Sequence, residues 1–78
     1  MASTNIEAIR AILGEVASSV DWSGLSPDDS LSDHGLDSLD KASFVMKLEA
    51  ETGVGIPDED YEALDTAAGF IGYVAQHD

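Results

Sequence analysis

The sequence predicts an all-α protein: a four-helix bundle of three main helices plus one short one, with a long loop between the first two. Three observations predict it. Apolar residues recur at steps of three and four in three separate stretches. Each stretch is preceded by a capping residue, and the second is closed by glycines and a proline. No run shows the strict alternation of a half-buried strand.

In the first helix, expected over about residues 4–19, Ile6, Ile9, Leu13, Val16 and Val20 form the stripe and Ile12 widens it. Ser3 or Thr4 is the expected cap, with Glu7 three residues after Thr4 to complete a capping box. Residues 20–37 then lose all periodicity. This loop carries Asp21, Asp28, Asp29, Asp33 and Asp37 and no base, but Trp22, Leu25, Leu31 and Leu36 supply apolar anchors, so a packed loop is expected. Asp37 is the N-cap of the second helix, Asp40 stands at the reciprocal position, and Gly35 permits the turn just before it. Gly53, Gly55 and Pro57 end that helix. A short third helix is expected from Asp58 to Ala63, with acids crowding its first turn. Thr66 caps the last helix, whose inward stripe is Ala67, Phe70, Ile71 and Val74.

Charge narrows the function. Sixteen acidic side chains against three basic ones give a net charge of -13. Nucleic acid is excluded as a partner, because neutralising its phosphates takes clustered cations and only Arg10, Lys41 and Lys47 are present. Anionic membrane surfaces are excluded by the same sign. A 44% hydrophobic content still supports a core, so disorder does not follow from the acidity. The chain is read as one domain, residues 1–78, monomeric, without a membrane span or signal peptide, and without cysteine; the expected location is the cytoplasm.

The second helix carries two apolar groups. On a wheel of 100° per residue Phe44, Val45, Leu48 and Thr52 fall together, while Leu39, Ala42 and Met46 centre more than about 100° away. One side suffices for a core this small. The Phe44 group is the core stripe, and the Leu39 group is an exposed docking face, unless loop residues such as Leu31 and Leu36 cover it.

Ser38 opens this helix, where free amides and the helix dipole favour an attached phosphate. It has no visible base. His34 lies in the preceding loop, His77 stands at the far C-terminus, and no Gly-x-Ser-x-Gly elbow surrounds it, so no catalytic residue is assigned. No metal site is assigned either. An EF-hand centred on Gly35 would place its ligands on Ser30, Ser32 and His34 and end on Lys41 instead of glutamate.

Taken with length, acidity and the four-helix pattern, the run Leu31-Ser32-Asp33-His34-Gly35-Leu36-Asp37-Ser38-Leu39-Asp40 resembles the acyl carrier protein family, the phosphopantetheine-binding carriers. The segments Val45-Met46-x-Leu48-Glu49 and Ile56-Pro57-Asp58-Glu59 extend the resemblance to about residues 4–76. The resemblance implies that Ser38 is the covalent attachment point of 4'-phosphopantetheine, delivered from coenzyme A by a phosphopantetheinyl transferase, and that cargo rides as a thioester on its thiol. Asp37 matches the acid before the modified serine. Leu39, Asp40, Ala42 and Met46 match partner-contact positions, and Asp58 and Glu59 join them by charge. The partners implied are the transferase, an acyl- or aminoacyl-loading ligase, and ketosynthases, acyltransferases or other acyl-handling enzymes with basic docking patches.

This chain departs from the family's usual pattern at Ser43, where fatty-acid carriers have an acid, at the small Ala42, and at Lys41 and Lys47. The second helix is therefore nearly neutral, which points to a dedicated set of partners in fatty-acid, polyketide or specialised lipid synthesis. Two alternatives stand beside this: an amino-acid carrier loaded by an adenylating ligase, and an unmodified acidic interaction module. Gly35-Leu36-Asp37-Ser38 looks more like the acyl type. Ala67, Ala68, Gly69, Gly72 and Thr52 either leave room for an acyl chain between helices or let the helices pack closely.

Overall fold

The structure is a computed structural model and describes residues 4–77. Four helices follow in order: α1 (Ile6–Val16), α2 (Ser38–Thr52), α3 (Asp58–Tyr61) and α4 (Ala67–Gln76). The expected all-α bundle of three main helices and one short one is the observed architecture.

Helix α1 starts later and ends earlier than its apolar pattern suggests. Its cap is Asn5, whose side chain accepts from the Ala8 amide at 2.9 Å. Thr4 does not fill that role, and Ser3 lies outside the described residues. Asn ranks at least as high as Ser or Thr as a cap, so the nearer side chain takes the position. At the other end the backbone leaves the helical region at Ala17, where Ser18 and Ser19 follow. The Trp22 indole N–H donates to the Ala17 carbonyl at 3.0 Å, satisfying a helix-end acceptor and pinning the loop. Ile12, assigned only to the edge of the stripe, is fully buried with Ile9 and Leu13, whereas Ile6, Val16 and Val20 are half-buried.

The loop of residues 20–37 is packed, as its anchors predict. Trp22, Leu25, Leu31 and Leu36 are all buried. Arg10 donates twice to the Leu25 carbonyl, from Nε at 3.1 Å and Nη2 at 2.6 Å, which fixes the loop's middle onto α1. Gly35 sits at φ +112°, and a Cβ there would meet the Val20 side chain at 3.1 Å, so both backbone conformation and space require glycine. Gly53 ends α2 in the left-handed conformation, donating to Glu49 O.

Helix α3 stops at Tyr61, short of the expected Ala63. The amides of Ala63 and Leu64 bond only three residues back, to Asp60 and Tyr61, so the chain tightens out of the α pattern. Polar ties hold this short element. The Glu49 carboxylate accepts from the Ile56 amide at 2.7 Å, linking α2 to the approach to α3, and the Tyr73 hydroxyl donates to Asp60 Oδ2 at 2.6 Å, linking α3 to α4.

The core lies where α1 packs against α2 and α4. Phe44 of α2 and Phe70 of α4 meet edge to face, ring centroids 5.0 Å apart and planes at 81°. Thr66 caps α4 through the Gly69 amide at 3.0 Å. The small residues of α4 do not open space between helices. Ala67 is fully buried, a Cβ on Gly69 would meet Thr66 Oγ1 at 3.2 Å, and Gly72 faces open space.

Candidate functional site

Ser38 is the first residue of α2, and its exposure follows from the segment before it. Leu36 is buried and anchors the chain, Asp37 is extended at φ -87°, and the Asp37 carboxylate accepts from the Asp40 amide at 2.8 Å. That cap stops the helix one residue before Ser38 and leaves the Ser38 side chain in solvent. The reciprocal bond from Asp40 back to the Asp37 amide is not formed among the described residues.

Neither histidine is paired with the Ser38 hydroxyl. His34 Nε2 lies 3.2 Å from Asp29 Oδ2 and is spent on that pair, and His77 stacks on Tyr73 with centroids 4.0 Å apart. The Asp29 pKa is lowered first by the Ser26 amide, against a burial cost, with a further contribution from His34. Among the described residues, no group of three or more His, Cys, Asp or Glu side chains is arranged to hold a metal ion.

A cleft of about 390 Å³ opens at Ser38, walled by Ser32, Leu36, Asp37, Lys41, Tyr61 and Glu62. Behind it a groove of about 510 Å³ runs between α2 and the segment leading into α3, lined by Ala42, Val45, Met46, Ile56, Pro57 and Tyr61 among others. Of the two readings left open for Thr52 and the small residues of α4, close packing fits α4, and the apolar space lies on the α2–α3 side.

Asp65 fixes one wall of the cleft from outside it, through Ser32. Its carboxylate accepts from the Ser30 hydroxyl, from the Ser32 hydroxyl at 2.7 Å and from the Ser32 amide at 3.2 Å. The Leu31 amide donates to the Asp65 carbonyl at 2.7 Å beside an isolated bridge between Ser30 and Thr66. Partial burial works to raise the Asp65 pKa. The Ser30 and Ser32 bonds and the nearby Lys41 charge outweigh it and hold the carboxyl below its ordinary value.

The predicted docking stripe is open. Leu39 is 80% and Met46 69% exposed, large values for apolar side chains, and Ala42 between them is half-buried. Leu31 and Leu36 turn into the core instead of covering the stripe. Asp58 and Glu59 are exposed at the start of α3. Of the two lysines that neutralise α2, Lys47 faces Glu15 of α1 at 3.9 Å and Lys41 faces the Ser38 cleft. Sequence reasoning missed Tyr61 and Asp65. Neither sits in the motif around Ser38; Tyr61 ends α3 and Asp65 lies in the turn that follows it.

A family model described as a phosphopantetheine attachment site matches residues 7–74. The chain belongs to that family. Among solved structures, this carrier is similar to a 3-oxo-butyl-ACP, an intermediate mimic from the actinorhodin polyketide synthase in Streptomyces coelicolor. The two are 30% identical with a TM-score of 0.79, over 99% of this chain and 94% of that chain. The protein is an acyl carrier protein, a non-catalytic member of the family that bears acyl intermediates as thioesters on a phosphopantetheine arm. Among the described residues no helix of the carrier is long and apolar enough to cross a membrane.

Proposed function

We propose that Ser38 carries the 4'-phosphopantetheine arm and that the carrier presents short acyl intermediates, of the polyketide or fatty-acid kind, to enzymes that dock on α2 and α3. The observation that carries this reading is an exposed, Asp37-capped serine hydroxyl on the first turn of a 15-residue helix, with no base of its own. Such a hydroxyl is suited to be a substrate. A phosphopantetheinyl transferase takes its proton, the Ser38 oxygen forms the phosphodiester with coenzyme A's pantetheine phosphate, and adenosine 3',5'-bisphosphate leaves. When bound, the group supplies the thiol on which cargo is held as a thioester.

The residues around Ser38 fit a phosphodiester. The hydroxyl projects from the positive end of α2, and Lys41 lies in the same cleft. The chain's lack of cysteine is compatible with this role, since the reactive sulfur arrives with the arm. Relatedness to a carrier loaded with a 3-oxo-butyl group supports an acyl cargo over an amino acid. Incubation with coenzyme A and a promiscuous transferase is expected to add one phosphopantetheine to the intact mass. Ser38→Ala is expected to add none. A mass gain in the variant would sink the assignment.

Docking is assigned to Leu39, Ala42 and Met46 as the close apolar fit, with Asp40, Asp58 and Glu59 steering basic partner surfaces. Asp58→Lys combined with Glu59→Lys is expected to slow association with the transferase about tenfold at low salt, the difference closing at high salt as screening removes the steering. Stopped-flow association rates across a salt series measure it. Equal rates at low salt would remove these two residues from the docking surface.

A further inference from the structure

Among the described residues, Tyr61 alone lines both the cleft at Ser38 and the groove behind it. The two spaces differ in chemistry. The cleft is walled by a hydroxyl, carboxylates and the Lys41 ammonium, whereas the groove is walled largely by Ala42, Val45, Met46 and Ile56. Along the helix axis the groove extends from about 6 Å to about 17 Å beyond Ser38, from Ala42 to Glu49. Tyr61 therefore stands at the border that a chain attached at Ser38 meets when it extends from the cleft toward the apolar groove.

The backbone that carries the ring is tied on both sides. Tyr61 is half-buried, and its backbone belongs to an element fixed on one side by the Glu49 bond to Ile56 and on the other by the Tyr73 bond to Asp60. Partial burial first, then the charges of Asp58 and Glu62, a hydrogen bond to Asp58 and the charge of Glu49 push its phenol pKa up.

We propose that Tyr61 is a specificity-determining gate that confines cargo to the polar cleft and so selects short, oxygen-bearing acyl chains over long apolar ones. The proposal rests on the assignment of the arm to Ser38. A short chain lies against the ring's cleft side, where Lys41 meets its oxygens. A long chain reaches the groove only by displacing the ring.

The test loads the full-length carrier with acetyl, butyryl, hexanoyl, octanoyl and decanoyl groups, using a promiscuous transferase and the matching acyl-coenzyme A. Intact mass verifies each product. The readout is the Tm of each acyl form minus that of the unacylated holo form of the same variant, so any loss of basal stability in a variant cancels. In the native protein the difference is expected to level off by hexanoyl. In Tyr61→Ala it should keep rising by about 5 °C toward decanoyl, since added methylenes now find apolar cover. Tyr61→Phe, which keeps the ring, should level off like the native protein. Full loading with parallel profiles in native protein and Tyr61→Ala would overturn the gate alone. Absence of loading at Ser38 would overturn the attachment assignment and the gate with it.

Discussion

Replacing Phe44 with alanine is expected to lower the unfolding free energy by about 3–5 kcal/mol, a large part of the roughly 4–12 kcal/mol that a chain of this size possesses. The size follows from where the ring sits. Phe44 is fully buried at the junction of α1, α2 and α4 and meets Phe70 edge to face. Truncation removes the transfer energy of a whole ring, leaves a cavity, and loses the aromatic pair, worth about 0.5–1.5 kcal/mol by itself. Tm should fall by about 15–30 °C. Thermal and urea unfolding followed by circular dichroism measure it. Leu39→Ala on the same helix is the contrast, since an 80% exposed side chain should cost little. Equal losses at the two positions would mean that the two faces of α2 have been assigned the wrong way round.

The second large effect is expected at Asp65, which holds the loop of residues 20–37 against the turn before α4. Removing the carboxylate in Asp65→Ala frees the Ser30 hydroxyl and both Ser32 donors at once. Bonds to a charged acceptor contribute about 1.5–3 kcal/mol each when buried. Because this cluster is partly exposed, water replaces some of them, and the expected loss is about 2 kcal/mol at neutral pH. The sign of the pH dependence follows from the lowered pKa. A carboxyl whose folded pKa lies below its unfolded value, about 3.9, stabilises the fold fully above that value and loses its contribution as pH falls through the folded value. The stability gap between native protein and Asp65→Ala should therefore be constant at neutral pH and shrink below about pH 4. Urea unfolding at a series of pH values measures it. A gap that widened on acidification would contradict the assignment of Asp65 as a charged acceptor.

How far the sequence foretold this molecule depends on the range of the interaction. Local chemistry was legible: Asp37 and Thr66 cap their helices, Gly35 and Gly53 take positive φ, and the loop anchors Trp22, Leu25, Leu31 and Leu36 are buried. Each of those outcomes is decided within a few residues or by apolarity alone. The split of α2 into a Phe44 face and a Leu39 face was also legible, since helical geometry fixes it. The cap of α1 was misassigned because three adjacent residues, Ser3, Thr4 and Asn5, are all good caps, and their order cannot be ranked without knowing where the first core contact falls. Tyr61 and Asp65 were not legible because they reach the Ser38 cleft from across the chain. Asp65 meets Ser32 over 33 positions in sequence. Nor did the sequence reveal that the apolar groove lies beside α3 and not beside α4, since that depends on how the Glu49 tether swings the segment around Ile56.

Helix α3 contributes no fully buried residue of its own. Its position depends on the flanking Val54 and Ile56, and on the ties made by Glu49, Asp60 and Tyr73. In the hierarchy of opening free energies it therefore belongs at the low end, and its amides should exchange with solvent before those of α1, α2 or α4 do. A carrier has two opposed obligations, to shelter a reactive thioester in transit and to surrender it on arrival. With one wall of the Ser38 cleft on the least cooperative element, that wall can shift under a docking enzyme without disturbing the Phe44–Phe70 centre of the bundle. The same four residues, Asp58–Tyr61, hold the proposed steering acids and the proposed gate, so an enzyme that grips α3 by its acids also holds the ring that borders the Ser38 cleft.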